Sequence, residues 1–162
     1  MLRKLLYTDD GTTFKCDADD QSPFSLDQQG SDAHSHRHRV LVIDDHEDSL
    51  LFAQYALECL GYQPIPVSSG HKALEFALFY SPKIVLLDIR LDGISGFDIL
   101  NCFRQHEQIA NIPIIAVTAA VLKGTRSVML TAGFSSFLAK PYMFEDLDSI
   151  LHHLLSEQMT NA

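Results

Sequence analysis

Residues 84–88, Ile84-Val85-Leu86-Leu87-Asp88, form a short apolar run that ends abruptly in a carboxylate. Ser81 and Pro82 precede the run, and a loop that contains Gly93 and Gly96 follows it. Consecutive large aliphatic residues are typical of a strand buried on both faces, as interior strands of parallel sheets are. Because ligands of open α/β sheets gather outside the carboxyl ends of the strands, Asp88 is a candidate for chemistry as well as for an ordinary turn cap.

The chain on either side of this run alternates strand and helix patterns from residue 40 to residue 155. We predict strands at residues 40–43, 62–67, 84–88, 112–118 and 134–138. We predict helices at residues 47–60, 70–80, 96–105, 125–132 and 145–155. The connections are short, which favours right-handed crossovers between parallel strands. The predicted fold class is therefore α/β, a doubly wound parallel sheet of five strands with helices on both faces.

The amino-acid composition argues against several classes of protein, namely nucleic-acid-binding, exported and membrane-inserted ones. The 162 residues contain 12 basic and 21 acidic side chains, and the net charge of −9 argues against a nucleic-acid-binding surface. Cys16, Cys59 and Cys102 are odd in number and far apart, which is typical of reduced thiols in a cytosolic protein. No run approaches the ~20 apolar residues of a membrane span, and the N-terminus lacks a signal-peptide pattern. We expect a cytoplasmic protein without membrane insertion.

Residues 1–39 differ in composition from the rest and are predicted to be an N-terminal extension. Residues 5–8 and 12–15 are compatible with a hairpin that turns at Asp9-Asp10-Gly11, and a polar linker follows. We place the globular domain at residues 40–157 and a C-terminal tail at residues 158–162.

The linker ends in alternating histidines, His34, His36 and His38. Imidazoles at this spacing are compatible with a transition-metal site. No cysteine or acidic cluster stands beside them at ligand spacing, so a solvated linker is the favoured interpretation.

Polar residues stand at the ends of four predicted strands: Asp44 and Asp45, Asp88, Thr118, and Lys140. If the strands are parallel, these side chains meet at one edge of the sheet. Crowded carboxylates need a cation among them, and oxygen-only ligands favour Mg²⁺. A lysine and a hydroxyl suit phosphoryl oxygens, and aspartate can accept a phosphoryl group. The set predicts Mg²⁺-assisted phosphate transfer onto Asp88; the alternative is ordinary caps with a surface lysine.

The motifs resemble those of the receiver domain of the two-component response regulators, in particular the single-domain, chemotaxis-regulator-like type. The match lies in Asp44-Asp45, Asp88, Thr118-Ala119 and Lys140-Pro141, each after its own strand. The resemblance implies a flavodoxin-like sheet in the order 2-1-3-4-5. It also implies that Asp88 accepts a phosphoryl group from a phosphohistidine of a sensor histidine kinase or a histidine phosphotransfer protein.

The same resemblance implies a Mg²⁺ site. Asp45, Asp88 and the backbone carbonyl of Arg90 would bind the ion, and Asp44 would assist through water. Leu91-Asp92 stand where the family commonly has Met-Pro, so we expect a looser loop there with no catalytic group lost.

The resemblance further implies a phosphate-sensing switch. Thr118 and Lys140 would bond the phosphate oxygens, and Phe137 matches the family's rotating aromatic residue. The Lys140-Pro141 bond would be cis. Arg90 and Ala120 occupy positions that tune dephosphorylation in the family.

Output is expected to pass through contacts with a downstream protein or through onward phosphotransfer, because few residues follow the last predicted helix. We expect phosphorylation to alter the face of the fourth helix, fifth strand and fifth helix, near which Phe134 and Tyr142 either contact a partner or pack inside.

Two alternatives stay open at this point. One is a receiver-like module that binds partners without phosphorylation. The other is a Mg²⁺-dependent phosphohydrolase similar to the haloacid-dehalogenase-like enzymes, although their Asp-x-Asp pattern on the first strand is Asp44-Asp45-His46 here.

Overall fold

The computed structural model describes residues 6–7, 13–14, 37–119 and 124–160. The chain divides between Arg37 and His38 into two compact units. In the first unit, Leu6–Tyr7 pairs antiparallel with Thr13–Phe14. This pairing falls where we predict a hairpin. The predicted turn, His34, His36 and Cys16 lie outside the described residues.

The second unit is built on a parallel sheet of five strands. The strands are β1 (Arg39–Ile43), β2 (Gln63–Val67), β3 (Ile84–Asp88), β4 (Ile114–Thr118) and β5 (Ser136–Ala139). Their order across the sheet is β2-β1-β3-β4-β5, and every neighbouring pair is parallel. The predicted order 2-1-3-4-5 is confirmed.

Helices cover both faces of this sheet, as predicted. They are α1 (Glu47–Cys59), α2 (Ala73–Tyr80), α3 (Gly96–Gln105), α4 (Thr125–Ala132) and α5 (Phe144–Thr160), and a 3₁₀ turn, Gly70–Lys72, precedes α2. Buried residues of α1 and α5 share one hydrophobic cluster with the sheet, and those of α2, α3 and α4 share the other. Among the helices of the described residues, none has the length and apolarity that crossing a bilayer requires.

Strand β3 shows why the sheet is buried on both sides. Ile84 and Leu86 belong to the cluster under α1 and α5, whereas Val85 and Leu87 belong to the cluster under the other helices. All four are at most 1% exposed. Burying one such side chain contributes about 1.5–3 kcal/mol. The apolar run therefore holds both layers of helices and fixes the position of its last residue, Asp88.

The predicted bounds differ from the structure mainly at β4, β5 and α5. β4 begins two residues later than predicted, where Ser135 N–H donates to the Ile114 carbonyl at 2.8 Å. β5 begins at Ser136 because Phe134 N–H closes the end of α4 by donating to the Met129 carbonyl. α5 runs to Thr160 rather than Leu155 and thus enters residues that we assigned to a tail.

Candidate functional site

The predicted site residues meet at the carboxyl edge of the sheet. Asp44 follows β1, Asp88 ends β3, Thr118 ends β4 and Lys140 follows β5. The side chains of Asp44, Asp88 and Thr118 are buried, with residue exposures of 4%, 7% and 3%. Since buried charges are costly unless they are paired, the contacts of these groups decide what the site can do.

Lys140 joins the two buried carboxylates. Its Nζ atom donates to Asp44 Oδ2 at 2.5 Å and to Asp88 Oδ2 at 2.6 Å. Ser49 Oγ lies 3.4 Å from the same atom. The backbone N–H of Lys140 donates to the Thr118 carbonyl at 2.8 Å. One residue therefore contacts the ends of β1, β3 and β4.

This pairing keeps Lys140 charged. Burial alone would lower the pKa of its ammonium group, but the hydrogen bonds and negative charges of Asp44 and Asp88 outweigh burial and raise the pKa. The negative charge of Asp44 also acts on Tyr142. Burial, and then this charge, raise the pKa of the Tyr142 phenol to about 12. Near neutral pH the site thus holds a cation beside a neutral phenol.

The backbone after β3 positions Asp88. Asp88 Oδ1 accepts a hydrogen bond from Arg90 N–H at 2.8 Å. Gly96, the first residue of α3, lies so close that an added Cβ would stand 2.7 Å from the Asp88 carbonyl oxygen and 2.8 Å from Ile89 Cα. Only glycine allows this approach. The loop between them contains a short antiparallel pairing of Arg90–Leu91 with Ile94–Ser95.

Asp45 lies in the more exposed part of the site. Its Oδ2 accepts a hydrogen bond from Asp92 N–H at 2.8 Å, and its Oδ1 lies 2.9 Å from His46 Nδ1. Burial tends to raise the pKa of this carboxyl, but the bonds from Asp92 and His46 lower it overall. Asp45 is therefore ionised near neutral pH.

The acidic cluster fits Mg²⁺. Asp44, Asp45 and His46 place possible ligand atoms within 4.8 Å of one another, and Asp88 is joined to Asp44 through Lys140. Carboxylate oxygens are the donors that Mg²⁺ prefers. Of the predicted metal set, the structure brings Asp44 and Asp45 together and places Arg90 beside Asp88 through its amide.

The predicted switch residues lie in the adjacent strands. Thr118 is buried, and Phe137 is half-buried against the cluster under α2, α3 and α4. Phe134 and Tyr142 are both buried, which agrees with the alternative that they pack inside. Phe134 packs edge-on against Phe97 because the turn after α4 directs it inward.

Ala120 lies outside the described residues. The Lys140-Pro141 bond is cis, as predicted.

Sequence reasoning missed three contributors to the site. The amides of Arg90 and Asp92 depend on how the loop folds, and no residue type signals them. His46 was visible, because a histidine directly after an acidic pair is a possible metal ligand or ion-pair partner. Its imidazole lies near the carboxylates of both Asp44 and Asp45, so its role in the site needs an explanation.

Comparison with known protein families gives a match to the response regulator receiver domain over residues 40–152. The protein belongs to that family. The match covers the sheet, the strand-end residues and most of α5. Receiver domains serve two-component signalling, so this chain is a signalling module of that type.

Individual relatives agree with this assignment. The polar-differentiation response regulator DivK of Brucella ovis is 31% identical over 102 residues, which are 63% of this chain and 83% of that protein. The receiver domain of a Pseudomonas aeruginosa sensor histidine kinase is 30% identical, with a TM-score of 0.68 over 74% of this chain and 98% of its own. That structure has a magnesium ion coordinated in its active-site cleft. The Vibrio cholerae chemotaxis protein CheY4, 22% identical, has a TM-score of 0.68 over 73% of this chain and 98% of its own, which supports the fold alone.

Proposed function

We propose that this receiver is a phosphoacceptor switch, phosphorylated on Asp88 in a Mg²⁺-dependent reaction. One observation carries the proposal above all others. The Asp88 carboxylate ends an interior strand at the sheet edge, with one oxygen held by the Lys140 ammonium and the other by the Arg90 amide. A carboxylate held by donors on both oxygens is oriented for attack on phosphorus.

The proposed reaction moves a phosphoryl group from a phosphohistidine to Asp88. A carboxylate oxygen of Asp88 bonds to phosphorus, the phosphorus–nitrogen bond to the donor imidazole breaks, and that imidazole takes up a proton. Lys140 supplies a fixed positive charge where phosphoryl oxygens arrive, and Thr118 supplies a hydroxyl. Asp45, Asp88 and the Arg90 carbonyl would hold Mg²⁺, with Asp44 assisting through water, and the bound ion would neutralise charge on the phosphoryl group.

The proposed output is a change of packing around the fourth and fifth strands. An acyl phosphate carries about 1.5–2 negative charges beside Lys140, whose backbone N–H donates to the Thr118 carbonyl. Phe137 lies opposite Ala116 in the register of β4 and β5, two residues before Thr118. Movement of Thr118 toward the phosphate and of Phe137 inward would alter the surface of α4, β5 and α5.

The partners follow from this chemistry. We propose a sensor histidine kinase or a histidine phosphotransfer protein as the phosphodonor and a downstream protein as the target, with all of them meeting the receiver in the cytoplasm. The chain would catalyse only its own phosphorylation and dephosphorylation. Arg90, exposed beside Asp88, is placed to affect how long the acyl phosphate lasts.

The test is phosphorylation of the full chain with acetyl phosphate, with and without Mg²⁺, followed by intact mass. We expect a Mg²⁺-dependent gain of one phosphoryl group that Asp88→Asn abolishes. Asp92→Asn is the matched control, because it neutralises an exposed carboxylate in the same loop and should leave the gain intact.

Two other results would overturn the proposal. No phosphoryl gain under any condition would favour a module that binds partners without phosphorylation. Sustained hydrolysis of a generic phosphomonoester would favour a phosphohydrolase instead.

A further inference from the structure

His46 is the first residue after the acidic pair and the N-cap of α1. Its backbone N–H donates to Asp44 Oδ1 at 2.9 Å, which fixes the residue at the mouth of the site. Its imidazole Nδ1 lies 2.9 Å from Asp45 Oδ1 and 3.6 Å from Asp44 Oδ1. The side chain is 73% exposed. The ring therefore borders two carboxylates that we expect to hold a metal ion, and it has little packing of its own.

We propose that His46 is an additional ligand of this metal site and gives it a preference for borderline transition ions, such as Ni²⁺, over Mg²⁺. The inference rests on the metal site of the proposed function and assigns that site a second class of ion. It concerns which metal the receiver carries, and not whether Asp88 is phosphorylated.

The geometry supports a shared ion. The possible ligand atoms of Asp44, Asp45 and His46 all lie within 4.8 Å of one another. With metal–ligand bonds of about 2.0–2.2 Å, two ligands of one ion stand roughly 3–4.4 Å apart. A nitrogen that already lies 2.9 Å and 3.6 Å from two carboxylate oxygens needs only a small ring movement to share an ion with them.

The chemistry of the donor set points to the class of ion. Oxygen donors alone suit Mg²⁺, whereas imidazole suits zinc, copper, iron and nickel. A mixed set of two carboxylates and one imidazole should therefore bind Ni²⁺ more tightly than carboxylates alone, with little gain for Mg²⁺. Since the ring is exposed, turning it toward the ion disrupts no packing.

A second histidine–aspartate pair offers a matched control. His152 Nε2 lies 3.2 Å from Asp148 Oδ1 on α5, and its side chain is 70% exposed. Distance and exposure are thus close to those of His46. Within the described residues, however, only the group at Asp44, Asp45 and His46 brings at least three ligand atoms together. Loss of His152 should not affect metal preference.

The experiment is calorimetric titration of the full chain with Ni²⁺ and, separately, Mg²⁺. Every protein carries His34→Ala, His36→Ala and His38→Ala, so that the alternating histidines do not bind Ni²⁺. In this background we expect His46→Ala to weaken Ni²⁺ binding at least about tenfold, since even loss of an outer-shell partner of a metal ligand typically costs about 10–100-fold in affinity. Mg²⁺ binding should change by less than about threefold, because oxygen donors carry it. His152→Ala should change neither.

His46→Asn serves as a second variant, because asparagine is a favoured N-cap residue and brings no imidazole. It should match His46→Ala in both titrations. Unchanged Ni²⁺ affinity in both variants, or an equal loss for Mg²⁺ and Ni²⁺, overturns the proposal. So does the same loss in His152→Ala. Acetyl phosphate labelling in Mg²⁺ is run on the same proteins: absence of labelling counts against the phosphoacceptor function alone, since the metal titrations do not depend on it.

Discussion

The site has a buried half and an exposed half, and the two hold their charges by different means. In the buried half, one ammonium group of Lys140 lies between Asp44 and Asp88. In the exposed half, Asp45 is held by the Asp92 amide and by the ring of His46. The pKa of Lys140 is raised in the buried half, and the pKa of Asp45 is lowered in the exposed half.

The difference matters because charges that are removed from water depend on their partners. A buried charge that loses its partner keeps its desolvation penalty, whereas an exposed charge regains water. The buried half should therefore respond strongly to loss of one group, and the exposed half only weakly. Four predictions test this contrast.

The largest expected effect is that of Lys140→Met, which leaves Asp44 and Asp88 buried without their cation. Breaking a buried pair costs about 3–5 kcal/mol. Because the Lys140 side chain is 21% exposed, we expect the free energy of unfolding to fall by somewhat less, about 2–3 kcal/mol. Urea unfolding at neutral pH measures it. The exposed Lys72→Met is the control and should lie within about 0.5 kcal/mol of the wild type. Equal losses in both variants would contradict the contrast.

The ion pairs of Lys140 with Asp44 and Asp88 also predict a loss of folding stability at alkaline pH. Since the folded-state pKa of Lys140 is raised above its ordinary value of 10.5, its contribution is complete below pH 10.5 and is lost as the pH rises through the folded value. The stability gap between the wild type and Lys140→Met should therefore close above pH 10.5. Urea titrations at a series of pH values follow the gap. A gap that stays constant to the highest pH would mean that the ammonium charge does not stabilise the fold.

Gly96→Ala tests the backbone that supports the buried half. The new Cβ meets backbone atoms of Asp88 and Ile89 below 3 Å, and backbone cannot yield as a side chain can. We expect the free energy of unfolding to fall by about 2 kcal/mol, which is within the range for overpacking. We also expect slower phosphorylation, because Asp88 moves. Gly124→Ala is the comparison: its φ is +94° with no atom within 4 Å of the added Cβ, so it carries backbone strain without a clash. A smaller loss for Gly96→Ala than for Gly124→Ala would show that the α3 start can shift freely.

The smallest effect is expected for Asp45→Asn in the exposed half. The pair with His46 is exposed on the histidine side, so the loss should stay below about 1 kcal/mol. Because the folded-state pKa of Asp45 is depressed below 3.8, its contribution is present above pH 3.8 and is lost as the pH falls through the folded value. Acid titration of both proteins should show this small gap closing below pH 3.8. A loss as large as that of Lys140→Met would erase the distinction between the halves.

Much of the fold could be predicted, because short aliphatic runs mark most of the strands and polar residues stand at the ends of four of them. Asp44, Asp88, Thr118 and Lys140 were all assigned to one sheet edge on that basis, and they lie there. The register of β5 and the turn after it determine how far Lys140 reaches, so its contact with two carboxylates could not be predicted from spacing.

The errors also have physical causes. The predicted helix ends at Leu155 and the predicted tail covers residues 158–162, but hydroxyls of Ser156 and Thr160 bond to carbonyls one turn back, and Gln158 donates to the Lys83 carbonyl. The helix therefore continues. For Phe134 the sequence leaves two alternatives open, because the residue stands in a turn, where periodicity does not distinguish a buried ring from an exposed one.

The ion pairs of Lys140 also affect the order in which the site forms during synthesis and folding. Its two carboxylate partners precede it by 96 and 52 positions. During synthesis, both carboxylates leave the ribosome well before the lysine that pairs with them. Contacts so distant in sequence carry a loop-closure cost and form late. The acidic edge is thus completed only when the last strand docks, so a truncated or stalled chain would carry Asp88 without its cation.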